Sequence, residues 1–332
     1  MSKKLYSSQR WKRRIKVRQE AQDRAARRRN KRRRGRQKNR VITPAERRAL
    51  HSVAAPEKFS IVDNPEEAIA FLSNLRFYAE KHNLDLDLSG VTYLTADAIA
   101  ALVGTLVPLQ KVPVFIQGNL PRDQPAQDIL VSSGFFEHFR PVQPLPKVSR
   151  GQILQEKSKK VQPDIARDLI HFGIKSLTGM PKRCNAAYRI LIESMLNTHN
   201  HAAKYEAKRE TWWATVYADS ARNRVCFTFV DTGVGIFKSV RLSTLRTLYR
   251  FLGIRSDAYI LREMLLGKVE SSTGISYRGK GLPAVYRLSQ LGKIQRLTII
   301  ANDVYANVSA GQYRILRIAF RGTLLYWEIE VP

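Results

Sequence analysis

The segment from Ile190 to Ala202 constrains this chain most. Apolar side chains at Ile190, Leu191, Met195 and Leu196 recur with the 3.6-residue period of an amphipathic helix. Glu193, Asn197 and His201 then fall one turn apart on a single face. A carboxylate, a carboxamide and an imidazole line one wall, a pattern that on its own is more often an accident of a solvated helix face than a site.

Three segments downstream give the wall its meaning. An apolar strand, Val225 to Val230, delivers Asp231-Thr232-Gly233-Val234-Gly235, which alone reads as a tight turn. Arg278-Gly279-Lys280-Gly281-Leu282 opens an apolar-periodic helix ending near Leu291. A glycine loop at a helix start offers free amide hydrogens and a positive dipole end to phosphate, and Arg278 and Lys280 add formal charge. Gly322-Thr323 enters the last strand.

In this order the four segments resemble the nucleotide-binding boxes of the GHKL superfamily of ATPases and kinases. The nearest likeness is to the anti-sigma-factor kinases, whose first box reads Glu, three residues, Asn, three residues, His-Ala. The resemblance implies a C-terminal Bergerat-type α/β sandwich with a mixed sheet and an ATP lid, binding ATP and magnesium. It assigns Asp231 to the adenine amine, with Gly233 and Gly235 letting the backbone pass close to the base, and Thr323 to adenine through its hydroxyl and a water. Asn197 would hold the magnesium that bridges the phosphates, and Glu193 would orient or deprotonate the attacking group. His201 would touch phosphate or cap the helix face, and Arg278, Gly279, Lys280, Gly281 and Leu282 would form the phosphate loop. The stretch from Ile236 to Tyr277, with helices over 243–251 and 257–266, takes the lid position. Gyrase-like members borrow a lysine from a following domain, whereas this sequence closes on its last strand, so slow turnover is the expectation.

Upstream, strand and helix alternate: Phe59 to Val62, Leu84 to Leu88 and Val112 to Ile116 read as strands, with helices over 65–82, 95–106 and 127–139. Leu86 to Ala100 resembles a STAS domain, the fold of anti-sigma-factor antagonists. Ala96 stands where that family has its phosphorylatable serine; Thr92 and Thr95 are the hydroxyls that could substitute, and without a switch the resemblance implies a platform for docking a protein partner or a second copy in a homodimer.

Composition fixes the remaining expectations. Residues 1–40 hold 19 Lys and Arg against two acidic residues, which is +17 of the chain's +29. So polar a segment cannot offset its ordering entropy alone, and it suits a polyanion, RNA or DNA, with Tyr6 and Trp11 available for stacking. Two cysteines, no long apolar run and no secretory signal point to a cytoplasmic protein without a membrane span. The reading is α/β (α+β): a basic tail over 1–45, a STAS-like layered sheet with helices over 46–145, a linker helix over 146–180 and an ATP-binding domain over 181–332. Two functions fit, a slow ATPase or serine/threonine protein kinase in a bacterial regulatory or defence system, and an ATP-gated adaptor without significant catalysis.

Overall fold

A computed structural model describes residues 49–139, 152–158, 161–202, 211–233, 235–239, 257–268 and 281–331. The basic segment expected over 1–45 lies outside the described residues.

The first strand, β1 (Leu50–Ala54), pairs in parallel with β3 (Asn83–Asp87). β5 (Ile116–Gly118) completes a three-stranded parallel sheet in the order β1-β3-β5, and the short β2 (Lys58–Phe59) and β4 (Tyr93–Leu94) form a separate parallel pair. Helix α1 (Pro65–Ala79) starts on a proline, whose missing amide costs nothing there. Helix α2 (Ala96–Leu109) is buried almost throughout, from Asp97 to Leu106. Its alanines and Gly104 explain how it fits: small side chains let it lie between two layers. At its start the buried Asp97 carboxylate accepts the Ile61 and Val62 amides at 2.7 and 3.1 Å, which ties the loop after β2 to the helix. α3 (Gln124–Ser132) is capped by Asp123, whose side chain accepts the Ala126 amide.

The second layer is a five-stranded sheet in the order β6-β7-β8-β10-β9. Its strands are β6 (Gln152–Ser158), β7 (Thr211–Asp219), β8 (Arg224–Asp231), β9 (Gln295–Asn307) and β10 (Gln312–Glu330). Every described pairing in it is antiparallel, which corrects the expected mixed sheet. The parallel pairs all belong to the N-terminal layer, so the chain as a whole is α+β.

Side chains alternate across a strand, and here both faces are covered. Trp212, Ala214 and Phe229 enter a core with α4 (Pro163–Thr178), α5 (Asn185–Ala202), α7 (Asp257–Leu265) and α8 (Gly281–Gln290). Trp213, Val230 and Leu324 enter the other core, with α1 and α2. A short α6 (Ile236–Ser239) follows β8. Each fully buried tryptophan or phenylalanine contributes roughly 2–3 kcal/mol of apolar transfer. Residues 49–332 accordingly form one compact unit in which the sheet is shared. Within the stretch expected as a linker helix over 146–180, the helix is α4, beginning at Pro163; strand β6 precedes it, and Leu169 and Ile170 of α4 are core residues. Gly173 of α4 sits where a Cβ would run into Val225, so the glycine allows close approach of helix to sheet. Among the described residues no helix is long and apolar enough to cross a membrane.

Candidate functional site

Helix α5 delivers the polar wall. Its apolar positions Ile190, Leu191 and Met195 are buried against the sheet, which leaves Glu193 and Asn197 half-buried on the flank facing α8. A Cβ at Gly281, the first residue of α8, would stand 2.9 Å from Glu193 Oε2 and 3.7 Å from the Asn197 carboxamide. The cradle between the two helices is therefore just wide enough for bare backbone. It brings a carboxylate and a hard oxygen donor to a helix start whose first-turn amides have no intrahelical partner. These donors fit a divalent cation with phosphate, because an amide oxygen suits magnesium and free amides suit an oxyanion.

The tip of β8 carries Asp231. It stands between Trp212 of β7 and Thr323 of β10 in register, so the sheet itself sets Thr323 beside the carboxylate. Asp231 Oδ1 accepts the Gly233 amide at 2.5 Å, and Thr198 of α5 reaches Oδ2 at 3.2 Å. The Thr198 proton is shared with the Ser194 carbonyl at 3.2 Å, which keeps the hydroxyl aimed along the helix. Burial pushes the Asp231 carboxyl above its ordinary range, and the hydrogen bonds from Gly233 and Thr198 oppose that rise. The result is an acceptor held in a fixed direction with lone pairs to spare.

Two glycines let the backbone fold around this tip. Gly235 has φ +81°, and a Cβ there would overlap the Asn302 side chain. Gly322 has φ +113°, and a Cβ there would overlap the Asp231 carbonyl oxygen. Thr232 is tied to Thr211 by its amide at 3.2 Å and its hydroxyl at 3.1 Å, which pins the loop to the start of β7.

The structure thus brings Glu193, Asn197 and Gly281 together, and Asp231, Gly233 and Thr323 together. Thr198, the residue after Asn197, links the two groups. Leu282 packs half-buried against the core that holds α4, α5, α7 and α8, behind the helix start. Arg278, Gly279, Lys280 and the His201 side chain lie outside the described residues, as do residues 243–251 of the expected lid. The other lid helix, α7, buries Leu261 and Leu265 in the core, so that half of the expected lid is part of the scaffold. Sequence reasoning missed Thr198; its signal is its place on α5, rotated about 100° from Asn197 toward the sheet. It also missed Gly104 of α2, whose missing Cβ leaves room for Thr232 Cγ2, 3.0 Å from where the Cβ would be. Among the described residues no group of three or more His, Cys, Asp or Glu side chains gathers. No protein-family model and no curated protein matches the chain.

Proposed function

We propose that this chain is an ATP-binding regulatory protein with a histidine kinase-like nucleotide site, acting as a slow ATPase or a serine/threonine protein kinase in a bacterial regulatory or defence system. The observation that carries the reading is the meeting of Glu193 and Asn197 with the start of α8 at Gly281. That geometry supports phosphate binding at the helix start. The Asp231 tip, braced by Thr198 and Gly233, supports recognition of a base through an amine donor.

In this reading Asp231 accepts the adenine amine and Thr323 supplies a hydroxyl beside it. The first-turn amides of α8 hold phosphate oxygens, joined by Arg278, Gly279 and Lys280, with His201 at the end of the α5 wall. Asn197 offers its carboxamide oxygen to magnesium, which when bound neutralises phosphate charge. Glu193 takes the proton of the attacking water or hydroxyl. Calorimetry with ATP and magnesium tests the reading: binding heat in the wild type, lost in Asn197→Ala and Asp231→Ala. Absence of heat in the wild type would sink it.

A second reading, an ATP-gated adaptor, is favoured by Gly104, because α2 touches the Asp231–Thr232 loop and the N-terminal layer can feel its state. Glu193→Ala separates the two: loss of phosphate release or phosphotransfer at unaltered ATP affinity supports the enzyme, and unaffected function supports the adaptor. The N-terminal layer carries exposed Phe77 and Phe115, suited to a protein partner or a second copy. The charge of residues 1–40 supports a polyanion partner, RNA or DNA. Deleting those residues should abolish a nucleic-acid affinity that falls steeply with salt, and an unchanged salt slope after deletion would reject the assignment. Cys184 and Cys226 are both unpaired, which suits a reducing, cytoplasmic setting.

A further inference from the structure

Several arginines on the sheet and its strand ends are matched to carboxylates. Arg222 pairs with Asp219, Arg224 with Glu328 and Glu330, Arg296 with Asp63 and Glu328, and Arg314 with Glu66. Arg76, in the last turn of α1, is half-buried and donates to a neutral group: its Nη2 meets Thr105 Oγ1 at 2.8 Å. Thr105 gives its own proton to the Ala101 carbonyl at 2.9 Å, so it serves Arg76 as acceptor alone. The guanidinium's other hydrogens have no carboxylate among the described residues.

A second guanidinium belongs to the same corner. Helix α1 runs along the first half of β10, because Glu66 in its first turn meets Arg314 Nη1 at 3.5 Å and the Arg317 amide at 3.2 Å. From Glu66 to Arg76 the helix advances about 15 Å. From Arg317 to Arg321 the strand advances about 13 Å. Thr232 provides an independent bearing. A Cβ at Gly104 would stand 3.0 Å from its Cγ2, and one at Gly322 would stand 3.2 Å from its Cα. Helix α2 at Gly104 and strand β10 at Gly322, the positions next to Thr105 and Arg321, therefore meet the same loop residue. Burial, reinforced by the positive charge of Arg321, lowers the Arg76 pKa to about 10. Arg321 is exposed, so the corner opens to solvent.

We propose that Arg76 and Arg321, braced by Thr105, form a binding site for a phosphate group, on the N-terminal-layer side of the Asp231–Thr232 loop and apart from the Glu193–Asn197 wall. Two guanidiniums offer forked donors to several oxyanion atoms, and a phosphate carries the near-double negative charge that two unmatched cations call for. A single carboxylate would neutralise one of them. This site goes beyond the ATP reading and does not rest on it. Its contact with Thr232 through Gly104 makes it a place from which a phosphate group can bias the loop that carries Asp231.

The test uses the full chain with inorganic phosphate and, in a second arm, O-phospho-L-serine, each against chloride at matched ionic strength. Thermal melting should rise saturably with phosphate in the wild type. Arg76→Gln and Arg321→Gln should each weaken that response about tenfold or more, the loss expected for a charge-assisted hydrogen-bonded pair. Arg321→Gln alters an exposed side chain and keeps the test decisive if Arg76→Gln folds poorly. Tighter binding of phosphoserine would assign a protein-borne phosphate, and equal binding a free one. The basic segment is present in every variant, so an equal phosphate response in the wild type and both variants would assign the effect to that segment and overturn the site. Calorimetry with ATP and magnesium should be unchanged in Arg321→Gln, which keeps this result separable from failure of the nucleotide reading.

Discussion

Gly322 lies against Asp231 so closely that a Cβ at position 322 would overlap the Asp231 carbonyl oxygen and stand 2.9 Å from its carbonyl carbon. Its φ of +113° is a conformation that side chains other than glycine avoid. β10 uses this glycine to bring Thr323 into register with Asp231 after a bulge between Phe320 and Thr323. Gly322→Ala should therefore cost at least about 1–3 kcal/mol from the backbone conformation alone. Urea denaturation would register a lower midpoint, and nucleotide heat should fall with it because the strand tip has moved. A variant as stable as the wild type would mean that the tip tolerates a different backbone path.

Asp231 makes a prediction of opposite sign for stability. Burial raises its folded pKa above the unfolded value, so in the window between the two the folded state binds more protons. Its contribution is then most favourable below the unfolded value and is lost as pH rises through the folded one. At neutral pH the charged carboxylate is a cost. Asp231→Asn should melt at an equal or higher temperature than the wild type at pH 7, while ATP heat falls because a neutral carboxamide is the weaker acceptor for an amine. A melting temperature well below that of the wild type would mean the carboxylate is a structural anchor instead.

Much of the fold could be read from the sequence because it rests on local periodicity. The helix expected from residue 65 opens at Pro65, and apolar runs such as Val225 to Val230 mark strands such as β8. The same runs carried a message that a two-domain reading passes over: an antiparallel strand apolar on both faces needs cover on both. The cover is α2, whose alanines and Gly104 read as a small-residue helix but owe their size to the sheet beneath. β1 escaped notice because Leu50 is exposed and His51 polar on an edge strand, leaving little alternation. The site residues Glu193, Asn197, Gly281, Asp231 and Thr323 could be ordered by motif. Thr198 could not, because its partner lies 33 residues away and only the packing of α5 on β8 joins them.

The cysteines give a chemical check on the layering. Cys226 points into the core shared with α1 and α2, beside Tyr326, and burial pushes its thiol up to about 11. At pH 8 almost none of it is thiolate, and the thiolate is the reactive form. Cys184, at the start of α5, is partly accessible. Native protein should react with one equivalent of a thiol reagent, at Cys184, and with two only after denaturation. Rapid native labelling of Cys226 would show that the sheet is not covered on that face.

Glu328 stands directly across from Cys226 in the β8–β10 register, on the same face. Its side chain is 0% exposed, yet it is ionised against Arg224 at 2.9 Å, Arg296 at 2.9 Å and the Tyr326 hydroxyl at 2.6 Å. Burial alone would raise its pKa, but the hydrogen bonds from Tyr326 and Arg224, with the charges of Arg296 and Arg222, outweigh it and hold the carboxyl below its ordinary range. Arg296 also pairs with Asp63 at 3.0 Å, so the carboxylate sits at the seam between the N-terminal layer and the sheet. Removing it leaves Arg224 and Arg296 with one carboxylate each, Glu330 and Asp63, and takes the acceptor from the buried Tyr326 hydroxyl, so Glu328→Ala should cost about 1–3 kcal/mol in urea denaturation at pH 7. A depressed folded pKa gives stability that is present above the unfolded value, near about 4.3, and is lost as pH falls through the folded one. The gap between wild type and Glu328→Gln should therefore be full at pH 7 and shrink below about pH 4. A gap independent of pH would show that the cluster works through packing, with the charge on Glu328 playing no part.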